Sequence, residues 1–376
     1  MTKNDQKKTA MVCIQQSTYE TIDMDSLLHP LGGLNRYIQK GEHVVLKVNL
    51  LNATPPEQLV ITNPLVAKRV AEAVLKLGAV PLIGDSPSGQ FTKRRLNKVY
   101  EKAGLLKLCS ELGIEVNYDT GTTKVQILEG KVLKETFLCD FILKADKIIA
   151  LPKIKTHSFQ IMTLATKIMY GAVPGLTKAK YHSFFFRRQA FADMLLDILS
   201  VAPPDLVIMD GIIGMQGNGP SGGTAANLGV LLAADHAIAM DIAVCTMLNI
   251  EPVGIPVLKR ARLRRLWPQS IVYPLLAPRA VTYPRFLLPN TADYLLTGKN
   301  TPQKSPTVTA KCTCCGSCVE TCPKKAISMG PEKALIDYSR CIRCYCCHEV
   351  CPEEAIELAV LVNRMQSNEK TQHLVA

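Results

Sequence analysis

The residues best suited to carry chemistry lie near the C-terminus. Cys312, Cys315, Cys318 and Cys322, followed by Pro323, recur 29 residues later as Cys341, Cys344, Cys347 and Cys351, followed by Pro352. Each half reads C-x2-C-x2-C-x3-C-P, and the copy runs on, since Cys-Pro-Lys-Lys-Ala-Ile is answered by Cys-Pro-Glu-Glu-Ala-Ile. Three closely spaced thiolates wrap one corner of an iron–sulfur cubane. The fourth, ahead of a chain-turning proline, reaches across to the other cluster. The pattern therefore predicts two [4Fe–4S] clusters, one held by Cys312, Cys315, Cys318 and Cys351, the other by Cys341, Cys344, Cys347 and Cys322. Zinc would use two separated ligand pairs and has no need of the x3-C-P ending. Disulfides suit an exported chain, and no signal peptide is read at the start, which has basic residues but no apolar stretch behind them. Cys314 and Cys346 fall at non-equivalent places in the two copies, so the repeat does not require them, and small-residue packing or tuning beside a cluster is expected.

A second chemical feature is basic. Between Asp146 and Asp193 there is no carboxylate but eight Lys or Arg, and between Glu251 and Asp293 none with seven. These two segments more than account for the formal net charge of +12. Such concentration points to a local anion site more than to a generally sticky surface. The first segment runs Leu151-Pro-Lys-Ile-Lys-Thr-His-Ser-Phe and on through Lys167 to Tyr181-His182. Lys153, Lys155 and Lys167 would supply point charges, and His157 or His182 would exchange a proton near neutral pH. Asp85, flanked by Gly84 and Ser86, would orient a lysine or a substrate hydroxyl, or cap its turn. The second segment, with Lys259, Arg260, Arg262, Arg264 and Arg265 near Trp267, reads as an irregular stretch packing on the domain or touching a partner. Nucleic acid is not expected, because interleaved aromatics and a recognised fold are missing.

The elements that must position these residues alternate. Strand-like runs at 12–14, 43–49, 79–84, 114–118, 147–151 and 206–210 are separated by helical runs, the clearest opened by Asn63-Pro64 and stopped at Gly78. A hairpin is expected around 129–131. This predicts an α/β domain with a mostly parallel sheet and flanking helices. Ligands in such sheets sit at the carboxyl ends of the strands, which would gather Asn49, Asp85, Ser86, Lys153 and Asp210 on one rim. Gly217-Asn-Gly-Pro-Ser-Gly222 matches G-x-G-x-x-G formally but lacks the tight strand-to-helix turn. It reads as a flexible loop over the basic site, not as a dinucleotide fingerprint.

Hydrophobic residues make up 47% of the 376 and charged ones 20%, which describes a globular chain. The most apolar window, 228–250, carries Asp235, His236 and Asp241, so no spanning helix is expected. Six cysteines outside the repeat show no framework spacing, in line with a reducing, cytoplasmic setting. The expected division is an α/β domain over 1–296 (irregular and rich in Pro and Arg from 252), a linker at 297–310, a small α+β two-cluster unit at 311–358 and a tail at 359–376.

From Val44 to Asp241 the sequence resembles the family known as domain of unknown function 362. The matching stretches are Lys47-Val-Asn49, Gly84-Asp-Ser-Pro87, Leu151-Pro-Lys-Ile-Lys-Thr-His157, 163–167, 171–178, His182, Asp210-Gly211 and Gly217-Asn-Gly-Pro220. Its members are often fused to a bacterial-type two-cluster ferredoxin unit. The resemblance implies the fold and a site map without a substrate. Together the features point to an iron–sulfur oxidoreductase component, relaying electrons between a donor or acceptor protein and an anionic small molecule. The alternative is a non-catalytic electron-transfer or docking subunit.

Overall fold

The computed structural model describes residues 9–292 and 303–361. Twelve of its strands are β1 (Thr9–Gln16), β2 (His43–Val48), β3 (Val80–Gly84), β4 (Glu115–Val116), β5 (Thr122–Gln126), β6 (Glu135–Cys139), β7 (Lys147–Leu151), β8 (Lys153–His157), β9 (Ile161–Met162), β10 (Leu206–Asn218), β11 (Gly222–Ala234) and β12 (Ser270–Val272). Ten of these form one sheet in the order β12-β1-β11-β10-β7-β2-β3-β4, with β8 and β9 continuing from β10 off that path. The pairs β10–β7, β7–β2, β2–β3 and β3–β4 are parallel, while β1–β11 and β10–β11 are antiparallel.

Side chains alternate across this sheet, as a strand period of two demands. On β10, Leu206 and Ile208 enter one core and Val207 and Met209 the other. Helices Pro64–Lys76, Lys93–Lys102 and Leu105–Leu112 cover the first face. Helices Arg188–Val201, Ala237–Met247 and Pro256–Leu263 cover the second. Asn63 caps its helix by accepting from Leu65 N, with Pro64 at the first position, as the sequence indicated. The hairpin expected around 129–131 is β5 paired with β6.

The basic stretch after β7 continues as β8 and turns back through β9. Two sequence expectations are corrected here. The segment from 252, expected to be irregular, carries the helix Pro256–Leu263 and β12, because its apolar Val257, Leu258 and Ala261 bury against the sheet's second face. The glycine-rich stretch from 211 to 223 is not a flexible loop. Asp210 lies inside β10, which runs on to Asn218 and returns as β11. Glycine suits that hairpin because its backbone passes against β8: a Cβ on Gly219 would collide with the Thr156 carbonyl oxygen.

The C-terminal unit adds β13 (Ser305–Val308), β14 (Ile327–Met329), β15 (Ala334–Ile336) and β16 (Ile356–Ala359), with helices Ser317–Thr321 and Cys346–Val350. β13 pairs antiparallel with β16, so residues 305–308 of the expected linker are built into this unit. The rest of that linker before residue 303, and the tail from 362, lie outside the described residues. Among those described, no helix is long and apolar enough to cross a membrane.

Candidate functional site

The 29-residue repeat is present in the backbone as well as in the cysteines. Cys314 and Arg343 have φ +56 and +54, Gly316 and Tyr345 +76 and +63, Lys325 and Glu354 +49 and +50. Each pair is one repeat apart, and each helix opens directly after its left-handed residue. Cys312, Cys315, Cys318 and Cys351 line one cavity together. In the other half, burial pushes the Cys347 thiol well up, and the nearby Cys344, Cys341, Cys318 and Cys322 thiols add to it. The Cys322 and Cys351 sulfurs each accept from an alanine N–H four residues on, at 3.2 Å. Soft thiolates gathered this way, with N–H donors on sulfur, fit an iron–sulfur cluster.

The halves differ in setting. Cys314 and Cys315 are exposed, whereas every residue from Cys344 to Cys351 is buried. The buried half docks on the α/β domain. Asn52 Nδ2 donates to Val350 O (3.3 Å), Ser221 Oγ donates to Glu349 O (2.6 Å), and His348 Nε2 lies 3.0 Å from Asn218 O. The tip of the β10–β11 hairpin thus holds the cluster helix. It also holds β8, since Gly219 O accepts from both Ser158 N and Ser158 Oγ.

A cleft of about 80 Å³ opens between these two bodies. Asn49, Asp85, Ser86, Lys167, Tyr170, Lys178 and His182 line it from the α/β side, and Thr321, Cys346, Glu349 and Val350 from the cluster unit. Glu349 is a carboxylate that the sequence reading did not place among the lysines. Its Oε1 lies 3.1 Å from His157 Nε2, out of hydrogen-bond alignment, so neither atom has a hydrogen-bond partner among the described residues. Burial pushes the Glu349 carboxyl up to about 7, against the opposing pull of Lys167 and Lys155.

The predicted site residues divide. Asp85, Lys167 and His182 reach the cleft. Lys155 and His157 are buried in β8 (2% and 0% exposed), in the field of the same carboxylate. Lys155 donates to Val60 O at 2.5 Å, and burial, then Lys167, bring its ammonium down to about 7. His157 Nδ1 accepts from Phe159 N and Gln160 N (3.0 and 3.2 Å), and burial holds the ring well below its ordinary pKa. His182 sits 4.4 Å from the Phe191 ring centroid and burial lowers it to about 3, so both rings are neutral near pH 7. The expectation of histidines titrating near neutrality is therefore corrected: desolvation outweighs it.

Lys153 is not in the ligand position expected of it. Its Nζ is 2.8 Å from Asp210 Oδ2, both side chains are buried, and Tyr19 OH and Asn63 N also donate to that carboxylate. Asp85 likewise holds Lys47 (2.7 Å) and accepts from Leu50 N and Ser86 N. Lys178, which burial lowers to about 8, spends its three donors on Ser86 O, Ser86 Oγ and Val173 O. Lys167 is left: partly exposed, 5.9 Å over the Tyr170 ring, and in no ion pair among the described residues. In the second basic segment, Arg260 and Arg264 are spent internally on Asp193 and Asp197 (2.7 and 2.8 Å).

The profile of a domain of unknown function, DUF362, matches residues 44–246, and that of a 4Fe-4S binding domain matches residues 334–357. A thylakoid-associated protein of Synechocystis sp. is 33% identical over 273 residues, spanning 70% of this chain and 81% of that protein. Among solved structures, the lactate racemase apoprotein from Thermoanaerobacterium thermosaccharolyticum overlaps 53% of this chain and 50% of its own, with TM-score 0.36 and 14% identity. A Thermotoga maritima protein overlaps 53% and 51%, with TM-score 0.34 and 11% identity. The match spans about half the length of each of those two chains. The DUF362 match takes in more than half of the residues here, from the Lys47–Asp85 pair to Asp241, and the chain belongs to that family, with a 4Fe–4S binding unit at its C-terminal end.

Proposed function

We propose that this is an iron–sulfur oxidoreductase component in which two [4Fe–4S] clusters relay single electrons to or from an anionic organic ligand in the cleft. The first cluster would be held by Cys312, Cys315, Cys318 and Cys351, the second by Cys341, Cys344, Cys347 and Cys322. One observation carries the reading. The helix that bears Cys347 is itself a wall of the cleft, and the opposite wall is the basic segment. Anything bound there lies within one helix of the second cluster. When bound, the clusters supply one-electron chemistry. The chain supplies Lys167 as the cation in no ion pair among the described residues, while Lys178 and the Asp85 that holds Lys47 are tied down in the cleft wall and Lys153 is held by Asp210 outside it.

The test is what accompanies anaerobically purified protein. Mass spectrometry of the small molecules released on denaturation should find an anion, absent from Lys167→Ala protein whose iron content and cluster absorbance match the wild type. An anion retained by Lys167→Ala would remove the pocket. A second reading, a non-catalytic electron-transfer subunit, draws on the exposure of Cys314 and Cys315, where a partner's redox centre would approach. A stable complex with a carrier protein, undiminished in Lys167→Ala, would favour it.

A further inference from the structure

The two halves of the cysteine repeat share their spacing and their backbone but carry opposite charge. After its fourth cysteine the first copy reads Pro323-Lys324-Lys325 and the second Pro352-Glu353-Glu354. The two loops share their backbone features. Lys325 and Glu354 have φ +49 and +50, each donates its N–H to the carbonyl of the preceding cysteine, and each loop ends in the alanine N–H that meets the sulfur. Because the fourth cysteine crosses over, the lysines belong with the second cluster and the glutamates with the first. Glu353 lines the cavity of Cys312, Cys315, Cys318 and Cys351.

The remaining charges reinforce the contrast. Arg343 acts on Cys341 in the second set, and its counterpart one repeat earlier is the neutral Cys314. Lys167 faces the same half from across the cleft, where burial lowers its pKa and Glu349, then Cys346, act the other way. Against this, Lys333 acts on Cys312 in the first set, and Glu349 is an acid on the second helix. Lys311 and Arg340, one repeat apart beside Cys312 and Cys341, match, as do Glu320 and Glu349 on the two helices, so the difference rests on Glu353 and Glu354 against Lys324 and Lys325. Burial runs the other way: the second site is the drier, and taking up an electron there costs more unless cations offset it.

We infer that this charge reversal sets the second cluster at the higher potential, so that electrons entering at the exposed half run towards the cleft. The inference rests on the two-cluster reading above. In the step itself one electron leaves the reduced first site and enters the oxidised second site, and no proton, bond or group is exchanged. The reducing equivalent comes from a low-potential one-electron donor at the exposed face.

The experiment is an anaerobic potentiometric titration of the full-length holo chain, followed by electron paramagnetic resonance. Iron is counted first, and a content far below about eight per chain would overturn the two-cluster reading itself. Given full loading, the wild type should show two resolved couples. The double change Glu353→Gln with Glu354→Gln should raise the lower couple alone, and Lys324→Gln with Lys325→Gln should lower the upper couple alone. Combining all four should narrow the gap most. All four side chains are exposed, so the fold should hold. Couples that move together, couples that do not move, or a single unresolved step in the wild type would each overturn the inference.

Discussion

Lys155 shows how the buried cations of this site should report themselves. In the folded chain its ammonium is brought down from 10.5 to about 7, burial being the larger cause and Lys167 the next. Between those two values the unfolded chain binds the proton and the folded chain does not. Stability therefore rises with pH across that window, and the cost of the buried charge is fully present below it. From pH 7 to about pH 9 the gain should approach about 2 kcal/mol. Urea unfolding of the anaerobic protein at a series of pH values should show this slope in the wild type and lose it in Lys155→Met. Equal slopes in the two proteins would mean that Lys155 is already charged and paired in the fold. Where the counter-charges of this segment lie is what the sequence could not display. A stretch from 147 to 192 with lysines and no carboxylate looked like a ligand pocket, but its counter-charges arrive from Asp85, Asp210 and Glu349, each distant in the chain.

At the level of elements, much was legible because hydrophobic periodicity and capping residues are local signals. The Asn63–Pro64 helix start, its stop at Gly78 and β7 all stand where the sequence put them. The misread stretch was the glycine-rich one, since glycine marks both mobile loops and strands pressed against another backbone. Here it is the second case, and the β10–β11 tip acts as a clamp between β8 and the cluster helix. Gly219→Ala would drive a Cβ into Thr156 O and Thr156 Oγ1, both within closed packing. Displacing the tip should destabilise the protein by about 1–3 kcal/mol. It should also release Glu349 and His348 from their hairpin contacts. Thermal unfolding measures the first effect. Faster chelation of iron from the folded protein measures the second, and chelation at the wild-type rate would show that the tip does not secure the helix.

For the whole molecule, the cleft belongs to neither domain. Its Asn49 and Ser86 come from strand ends of the sheet, its Lys167 and Lys178 from the helices Ala165–Ile168 and Gly175–Phe184, and its opposite wall from the helix that also carries Cys347. A short helix of five residues with left-handed Tyr345 at its start has little intrinsic stability. Its order is expected to depend on metal–thiolate bonds, as small metal-bound units generally do. Removing iron should then loosen a wall of the cleft from a distance. Hydrogen exchange of the full chain before and after anaerobic chelation should show faster exchange in the cluster unit and also at Leu50, Ser88 and Gly175, which face it across the cleft. Amides in the middle of β2 and β7, deep in the parallel sheet, should keep their protection. Unchanged exchange at the cleft amides would show that the basic wall is set by the α/β domain alone. The ligand would then bind equally well without iron, and the coupling between electron relay and ligand would be one of proximity only.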